Sequence, residues 1–487
     1  MKKSSGFSSL FNVVSPVPIR CVTDLLDRVI RAACLALGLG LGLCSPAQAN
    51  EAGAPIQLTI PQVRQLAVDA LQSGDFGQAI QISRGLLQAD PRDPVAYFVL
   101  AMAHGSQGEM ALSRKAAGYA FRYSTDPDDR FAAGQIAAQA AFIEERYSLA
   151  QVWLRRTAIH ADSHAEKDIV ARDYQALRRI NPWSMRLNAA LRPSSNVNNG
   201  SEDALQIIDG VPVTGRLNGA AQALSGLIAT LDLSARYRLS ASQVQATHLG
   251  ARLYTRNVAL SSAAQALAPN VRNSDLSQQY IEANISHRRQ ARGGVVGGAL
   301  ALGQSWYGNN PTYRFGRATL DRGWSFENGT WFAVAGSVED RSGVRSRRYD
   351  ATAYSLTFQA GGTFDNGDQF NLTLGLRDTE AVFINDVSLA ASLRAAYAFD
   401  QAMGPVTMDL AVTLGYSDYP LYRSGLIVVP GGRQDKSVYA DVNLTFLDWD
   451  YAGFSPSLRL RAGRTTSNDS RFQTRELSVG LGIQSKF

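Results

Sequence analysis

The chain has 487 residues, which is too long for one ordinary hydrophobic core, so two or more domains are expected. Its formal net charge of +6 is modest for this length, and no basic cluster is dense enough to indicate binding to nucleic acid. Cys21, Cys34 and Cys44 all precede residue 50. The rest of the chain therefore offers no disulfide, thiolate metal site or catalytic cysteine.

The N-terminus has the layout of a secretory signal peptide. Arg20, Arg28 and Arg31 precede an apolar run over residues 32–44, and Ala47-Gln48-Ala49 follows as a cleavage motif of small residues. The apolar run is short for a membrane span. We therefore predict a signal peptide over residues 1–49, with a retained membrane anchor as the alternative.

Residues 50–180 are predicted to form a periplasmic domain of tetratricopeptide-like helical repeats. Apolar residues recur at three- and four-residue spacing, and Leu66-Ala67, Gly74 and Ala79 recur 34 residues later as Leu100-Ala101, Gly108 and Ser113. Pro91 and Pro127 are expected at equivalent unit ends, and a weaker third unit includes Ala138, Tyr147, Ala150 and Leu154. An irregular helical bundle is the alternative.

The inner face of such a repeat array is its usual binding surface. The repeat alignment assigns to this face Arg64, Phe98, Met102, Gln135 and Gln139. These residues are candidates for contact with a peptide or protein substrate. A purely structural role is an equal alternative, because a short array also needs a packed face.

From Trp183 onward the hydrophobic pattern changes to period two, after Asn181-Pro182 ends the helical region. Apolar and polar residues alternate over residues 370–376, 387–397, 406–417 and 438–446. One apolar face, one polar face and aromatic residues near the ends are typical of membrane barrel strands. Residues 181–487 are therefore predicted to form an antiparallel transmembrane β-barrel of about 14 strands, the even number usual in bacteria.

The connections between the predicted strands differ in length. Long ones cover residues 195–222, 261–275, 341–348 and 418–436, whereas tight turns include Glu327-Asn328-Gly329 and Asp365-Asn366-Gly367. Long outer loops and short periplasmic turns are the usual asymmetry of outer-membrane barrels. We expect the long loops outside the cell and both chain ends in the periplasm.

The polar face of the predicted barrel would point into its lumen. It includes Asp232, Arg236, Arg459 and Arg461, which would be costly against lipid. The final strand alternates through Leu477, Val479, Leu481 and Ile483 to the terminal Phe487, which resembles the signal read by the outer-membrane assembly machinery.

Sequence motifs for an enzyme are not evident. The chain has no H-E-x-x-H, phosphate-binding P-loop or G-x-S-x-G pattern. His160 and His164 are four residues apart on a predicted helix, but no third ligand has a persuasive spacing. We predict no catalytic, cofactor or metal site and no enzyme activity.

A signal peptide, a short helical-repeat domain and a barrel of about fourteen strands together resemble the surface lipoprotein assembly modifiers, or Slam proteins, also called a type XI secretion system. The segment Pro193-Ser194-Ser195-Asn196-Val197-Asn198-Asn199-Gly200 looks like the Asn-rich segment of that family. The resemblance implies export of a surface lipoprotein or small secreted protein through the outer membrane. Implied partners are that cargo, periplasmic chaperones, the assembly machinery and outer-membrane lipids, with no nucleic acid.

Within this interpretation, we hypothesise that the first strand, about Trp183 to Ser194, and the fourteenth, about Phe472 to Phe487, form a seam that can open. The seam would include Trp183 and Leu187 on the first strand, and Leu481 and Phe487 on the last. The main alternative function is an exopolysaccharide export porin with a tetratricopeptide-repeat domain. A nutrient porin and an enzyme carried on a barrel are further alternatives.

Overall fold

The computed structural model describes residues 57–446, Trp449 and residues 454–485. The chain divides into a helical unit that ends at Ile180 and a barrel unit that begins at Asn181. The predicted signal peptide and the terminal Phe487 lie outside the described residues. In the described ranges, no helix combines the length and the apolar character needed to cross a membrane.

The described part of the helical unit consists of antiparallel helical hairpins, which confirms the predicted repeat fold. The helices are α1 (Ile60–Gln72), α2 (Phe76–Ala89), α3 (Pro94–Ser106), α4 (Met110–Tyr123), α5 (Pro127–Ile143), α6 (Tyr147–Ala158) and α7 (His164–Ile180). Each helix packs against the next, and α3 also packs against α1 and α5. The first six helices therefore form three stacked hairpins, and α7 follows as the closing helix.

The three hairpins turn through the same backbone conformation. Gly74 and Gly108 each have φ of +81°, and Glu145 has φ of +59° at the third turn. Glycine adopts positive φ without the penalty that a Cβ atom imposes, so the two glycines end their helices favourably. The glutamate explains why the third unit is weak as a sequence repeat.

Small side chains permit the close packing of these helices. Ala67 and Ala101 are fully buried at equivalent positions of α1 and α3. Gly134 takes that role in α5, where an added Cβ atom would lie 2.2 Å from Thr157 Oγ1. Pro127 begins α5 as Pro94 begins α3, so it corresponds to Pro94. Pro127 thus lies near the place equivalent to Pro91, at the first helical position, which a proline favours.

The barrel unit is a closed antiparallel sheet of fourteen strands, as predicted. The strands are β1 (Trp183–Ser194), β2 (Gly226–Ala241), β3 (Gln245–Leu260), β4 (Gln278–Ala291), β5 (Gly294–Tyr307), β6 (Asn310–Ser325), β7 (Trp331–Gly343), β8 (Ala351–Thr363), β9 (Gln369–Ala381), β10 (Ser388–Ala398), β11 (Val406–Tyr419), β12 (Arg433–Phe446), β13 (Phe454–Ser467) and β14 (Thr474–Ser485). Neighbours in the chain are neighbours in the sheet, and β14 closes onto β1.

The outer wall of the barrel is apolar. Leu300, Leu320 and Leu477 point away from the lumen and are 62%, 74% and 67% exposed. Aromatic contacts such as Trp183–Tyr237 and Trp324–Phe332 lie where the strands meet the short turns. An exposed apolar band edged by aromatic rings is the surface that a barrel presents to lipid.

The two ends of the barrel carry different connections. The loop end carries loops 1 to 7, which are residues 195–225, 261–277, 308–309, 344–350, 382–387, 420–432 and 468–473. The opposite, turn end carries the remaining connections. The predicted asymmetry is not uniform, because loop 3 is only Gly308-Asn309. Both residues have positive φ, as a tight type I′ hairpin turn requires.

Candidate functional site

The closure between β1 and β14 is the most sparsely paired junction of the barrel. Every residue of β1 has a partner in β2, from Trp183–Tyr237 to Ser194–Gly226. The described pairs between β1 and β14 are only three: Ala190–Gly482, Leu191–Leu481 and Ser194–Ser478. By contrast, β11 and β12 pair without interruption from Val406–Phe446 to Tyr419–Arg433. Main-chain hydrogen bonding therefore holds this seam more weakly than its neighbours.

The turn-end half of β1, residues 183–189, has no described partner in β14. In the observed register Leu187, Asn188 and Ala189 would oppose Ser485, Gln484 and Ile483, yet those pairs do not form. Residues 183–188 are exposed on both faces of the sheet. Within the described residues, the edge of β1 is therefore unpaired at Leu187, Asn188 and Ala189, and both faces of residues 183–188 are exposed.

A cavity of about 590 Å³ lies at the seam. Its lining includes Ala189 and Ala190 of β1 and the run from Gly480 to Ile483 of β14. Gly480 leaves free space on the lumen side of β14. The nearest atom to a Cβ added there would be the Arg459 carbonyl oxygen, at 3.7 Å. The cavity opens between the two strands that pair least.

A cluster of charged side chains lines the lumen beside this cavity. The Asp441 carboxylate is fully buried and accepts hydrogen bonds from Arg459 Nη2 at 2.8 Å and Arg394 Nη1 at 3.4 Å. Arg461 reaches Asp441 at 3.4 Å and Glu476 of β14 at 3.5 Å. This seam cluster links β10, β12, β13 and β14, and Arg192 of β1 joins it through Glu476.

The seam cluster contains more arginines than carboxylates. Arg192, Arg394, Arg459 and Arg461 contact Asp441 and Glu476, and a third carboxylate, Asp409, lines the cavity beside them. On its lumen side the seam is bridged by the Arg192–Glu476 ion pair and by a hydrogen bond from Arg192 Nη1 to Ser478 Oγ at 3.1 Å. The local surface is therefore positive and polar.

A second charged cluster lies on the opposite arc of the wall. Glu339 of β7 contacts Arg341 at 2.8 Å, Arg317 at 3.3 Å and Arg377 at 3.6 Å. Arg317 also pairs with Glu282 of β4. Next to this cluster, Asp232 and Arg252 form a two-pronged ion pair with contacts of 2.9 and 2.6 Å. Glu282, Glu339 and Asp232 each have an arginine partner, and these ion pairs link neighbouring strands of the wall.

Loop 1 fastens the seam at the loop end. The amide of Glu202 donates to the carbonyl of Gln473 at 2.8 Å, and Ser201 Oγ donates to the carbonyl of Ser470 at 2.8 Å. Ile208 of the same loop is buried against Tyr422 of loop 6. Because loop 1 follows β1 and loop 7 precedes β14, these contacts bridge the two seam strands where their pairing persists.

Loops 1 and 2 also cover part of the lumen wall. Val197 and Leu224 of loop 1 and Leu276 of loop 2 pack on the inward-facing Ile228 and Val258. The Arg256 guanidinium donates to the Val197 carbonyl at 2.6 Å and to the Leu276 carbonyl at 3.1 Å. The side-chain amides of Asn196 and Asn198 hold loop 1 by donating to the main-chain carbonyls of Gly200 and Gln222, each at 2.8 Å. The Asn-rich segment therefore has a structural role in folding this loop.

The five predicted inner-face residues lie on α1, α3 and α5, and all are partly exposed. Phe98 and Met102 pack against the helical core with part of their surface open. The Arg64 guanidinium is bound to the buried Asp93 carboxylate at 2.7 Å, which leaves Arg64 less free to bind a partner. The surface is therefore mixed, with apolar and amide groups accessible.

The predicted lumen residues occupy different surroundings. Asp232, Arg459 and Arg461 belong to the ion-pair clusters, whereas Arg236 is exposed on the same face as Asp232. Among the predicted seam residues, Leu481 pairs with Leu191, and Trp183 and Leu187 have described partners only in β2. The sequence prediction missed Arg192, Arg394, Asp441 and Glu476. The period-two pattern places these four residues on the inward-facing side of their strands, and this signal could have identified them.

The His160 ring packs edge-on against Phe121, with 5.3 Å between ring centroids. Burial and nearby arginines lower the pKa of His160, which favours its neutral form in the folded protein. No group of three His, Cys, Asp or Glu side chains in the described residues is arranged to hold a metal ion.

Comparison with known proteins gives partial structural likenesses. No family model matches the chain. No curated protein matches it. The chaperone SycD of Yersinia enterocolitica, in complex with a peptide of the translocator YopD, is 19% identical with a TM-score of 0.23, covering 26% of this chain and 98% of its own. An OmpT loop L8 deletion mutant, an outer membrane protein of Vibrio cholerae, is 11% identical with a TM-score of 0.32, covering 63% and 99%.

A bacterial polysaccharide outer membrane secretin is also 11% identical, with a TM-score of 0.31, covering 62% of this chain and 98% of its own. Each likeness covers only part of the chain. The fold assignment therefore rests on the helix order and strand pairing of the protein itself.

Proposed function

We propose that this protein exports polypeptides across the bacterial outer membrane. The observation that carries the proposal is the barrel closure by three described pairs between β1 and β14. A passive pore gains nothing from a weak wall, whereas a protein conduit can use one to admit or release a chain. The partly exposed inner face of the helical unit supports a polypeptide cargo, because helical repeats commonly bind peptides and proteins.

In this proposal the helical unit lies in the periplasm and meets the cargo or its chaperone, and the barrel supplies the passage. The cargo is a surface lipoprotein or a small secreted protein, in keeping with the resemblance to Slam proteins. The export step is transport without catalysis. Folding of the cargo outside the cell, or its release from a chaperone, drives export in the outward direction.

Gene deletion tests the proposed cargo class. Surface and secreted proteins of the deletion strain are compared with those of the parent by quantitative mass spectrometry. We expect one or a few specific proteins to be lost from the surface and retained in the periplasm. An unchanged protein profile with altered surface polysaccharide would overturn the proposal in favour of an exopolysaccharide export porin.

A disulfide across the seam tests whether opening is needed. Leu191 and Leu481 lie opposite each other on the outer wall, so Leu191→Cys with Leu481→Cys should cross-link β1 to β14 on oxidation. Export should stop on oxidation and resume on reduction, with the barrel still assembled. The control joins Leu393 and Leu414, an opposed pair in the continuously paired β10–β11 hairpin. Undiminished export with the seam fully cross-linked contradicts the role of the seam.

A further inference from the structure

We propose that residues 183–189 of β1 are a docking edge for one extended strand of the exported polypeptide. The incoming strand adds to the barrel sheet between β1 and β14 through main-chain hydrogen bonds. This inference rests on the proposed export function and adds to it a site and a form of the cargo: an extended strand, recognised by its backbone.

The first support is the open backbone edge. Leu187, Asn188 and Ala189 have partners in β2 on one side and no described partner on the other. Trp183 contacts Tyr237 in the aromatic band, and Leu187 and Leu191 continue into the apolar zone of the outer wall. Unpaired peptide groups at that depth are costly, because lipid offers no hydrogen-bond partner. A strand from a partner satisfies them in the manner of β-augmentation.

The second support is the space beside that edge. The cavity of about 590 Å³ is lined by Asn188, Ala189 and Ala190 on one side and by Gly480 and Gly482 on the other. The cavity lies next to the missing pairs, along the lumen face of the last pairs that persist.

The surroundings specify the chemistry of the strand. Leu191 and Leu481 form a pair next to the gap and face lipid, whereas Arg192, Arg459, Arg461, Asp409 and Glu476 line the lumen side. A strand placed between β1 and β14 therefore presents alternate residues to lipid and to a positive, polar surface. We infer that the preferred segment alternates apolar residues with polar or acidic ones.

Site-specific photo-cross-linking in cells tests the docking edge. The photoreactive residue p-benzoylphenylalanine is placed at Leu187, and the probe is the epitope-tagged protein whose surface level falls on gene deletion. Leu233 is the matched control, since it lies directly opposite Leu187 on the same face and is paired on both sides, with Leu187 and with Leu253. We expect an adduct with the tagged cargo at Leu187 and none at Leu233.

A synthetic peptide of alternating valine and aspartate tests main-chain recognition with the purified full chain in detergent. It should compete with the cargo and abolish the Leu187 adduct. Its N-methylated form, which lacks the amide donors, should not. Equal competition by both forms would show that the backbone is not what the edge recognises, and would overturn the proposal.

Other occupants give distinct outcomes. An adduct only with β14 of the same chain means that β14 itself closes this edge, and an adduct of double mass means that a second copy covers the edge. Either result overturns the docking proposal. If deletion abolishes export but no cargo adduct forms at Leu187, the docking edge is wrong and the export function stands. If deletion leaves every exported protein unchanged, the proposed function itself fails.

Filling the cavity provides a second variant. Gly480→Val places a branched side chain towards Arg192 Cγ, which lies 3.8 Å from the Cβ position. The cargo adduct and export should both be lost, while the barrel still assembles. Gly336→Val is the control, because a Cβ atom at Gly336 meets nothing within 4 Å. Unchanged export by the Gly480→Val protein would show that the cargo does not use this cavity and would overturn its part in the proposal.

Discussion

At the scale of single residues, two glycines of the helical unit should respond oppositely to the same substitution. An added Cβ atom at Gly134 would lie 2.2 Å from the buried Thr157 Oγ1, whereas at Gly85 it meets nothing within 4 Å. Gly134→Ala should destabilise the helical unit by about 1–3 kcal/mol through overpacking. Gly85→Ala should stabilise it by about 1 kcal/mol, since alanine is the better helix former.

Thermal unfolding of the full chain, followed by the helical circular dichroism signal, measures both changes. An equal effect of the two substitutions would mean that helix propensity, and not the contact with Thr157, governs this position.

Asp173 on α7 should make the helical unit sensitive to pH. Burial raises the pKa of Asp173 to about 6, and Arg172 opposes this rise. The unfolded carboxyl has its ordinary pKa of about 4, so between about pH 4 and pH 6 the folded state holds a proton that the unfolded state releases. The free energy of unfolding should therefore fall as the pH rises through this window and level off above it.

Asp173→Asn should remove this pH dependence. At pH 7 it should raise the free energy of unfolding by about 1 kcal/mol, a figure reduced for solvent screening because the carboxyl is only half-buried. Denaturant unfolding of the full chain at a series of pH values measures the effect. Asp168→Asn, at an exposed site on the same helix, is the control and should leave the slope with pH unchanged.

At the scale of elements, the third helical turn is built like the first two but with a less suitable residue. The amides of Gly108 and Glu109 donate to the carbonyls of Gly105 and His104, and those of Glu145 and Arg146 donate to Phe142 and Ala141 in the same pattern. Glu145 has φ of +59°, a conformation that costs a non-glycine residue about 1 kcal/mol.

Glu145→Gly should therefore stabilise the helical unit by about 1 kcal/mol, because glycine removes the Cβ penalty at this turn. Gly108→Ala, at the equivalent position of the second turn, should destabilise it by a similar amount. Thermal melts of the two variants check the pair. Loss of stability with glycine at position 145 would mean that the glutamate side chain contributes more than its backbone strain costs.

The ends of a helix or strand could be predicted where a signal in the neighbouring sequence marks them. The change of period at Asn181-Pro182 predicts β1 over residues 183–194, and the structure has Trp183–Ser194. The last strand was expected from about Phe472 but begins at Thr474, because residues 470–472 form a helical turn in loop 7. The short ladder of Leu205–Ile208 with Val211–Arg216 in loop 1 was not predicted, since its pairing depends on contacts with loop 7.

At the scale of the whole molecule, Asp441 should be a main contributor to barrel stability. Its buried carboxylate is shared by Arg394, Arg459 and Arg461. Asp441→Asn leaves three guanidinium groups close together without the charge that balances them. The free energy of unfolding should fall by about 3–5 kcal/mol, as for a broken buried ion pair.

Urea unfolding of the full chain in detergent, followed by tryptophan fluorescence, measures this loss. The control is Asp321→Asn, because Asp321 has one arginine contact, at 3.9 Å, to the exposed Arg288. That change should cost at most about 1 kcal/mol. An equal loss of unfolding free energy in the two variants would show that the seam cluster stabilises the barrel no more than a single surface ion pair does.

The number of strands and the facing of their side chains were predictable from period and turn signals. The sparse pairing between β1 and β14 could not be predicted, because it depends on the register of every strand around the barrel. The clusters were missed for a related reason. Arg192 and Asp441 are far apart in the chain, and the lumen brings them to neighbouring positions around Arg461 and Glu476.

The fastening of loop 1 to loop 7 has a consequence for the permeability barrier. Two strands joined at one end separate as a wedge, with the narrow end at Ser194–Ser478 beneath the loops and the wide end at Trp183. In the orientation proposed above, the wide end meets the inner leaflet and the narrow end meets the lipopolysaccharide leaflet. The protein could therefore admit a chain from within while the leaflet that excludes detergents and antibiotics stays sealed.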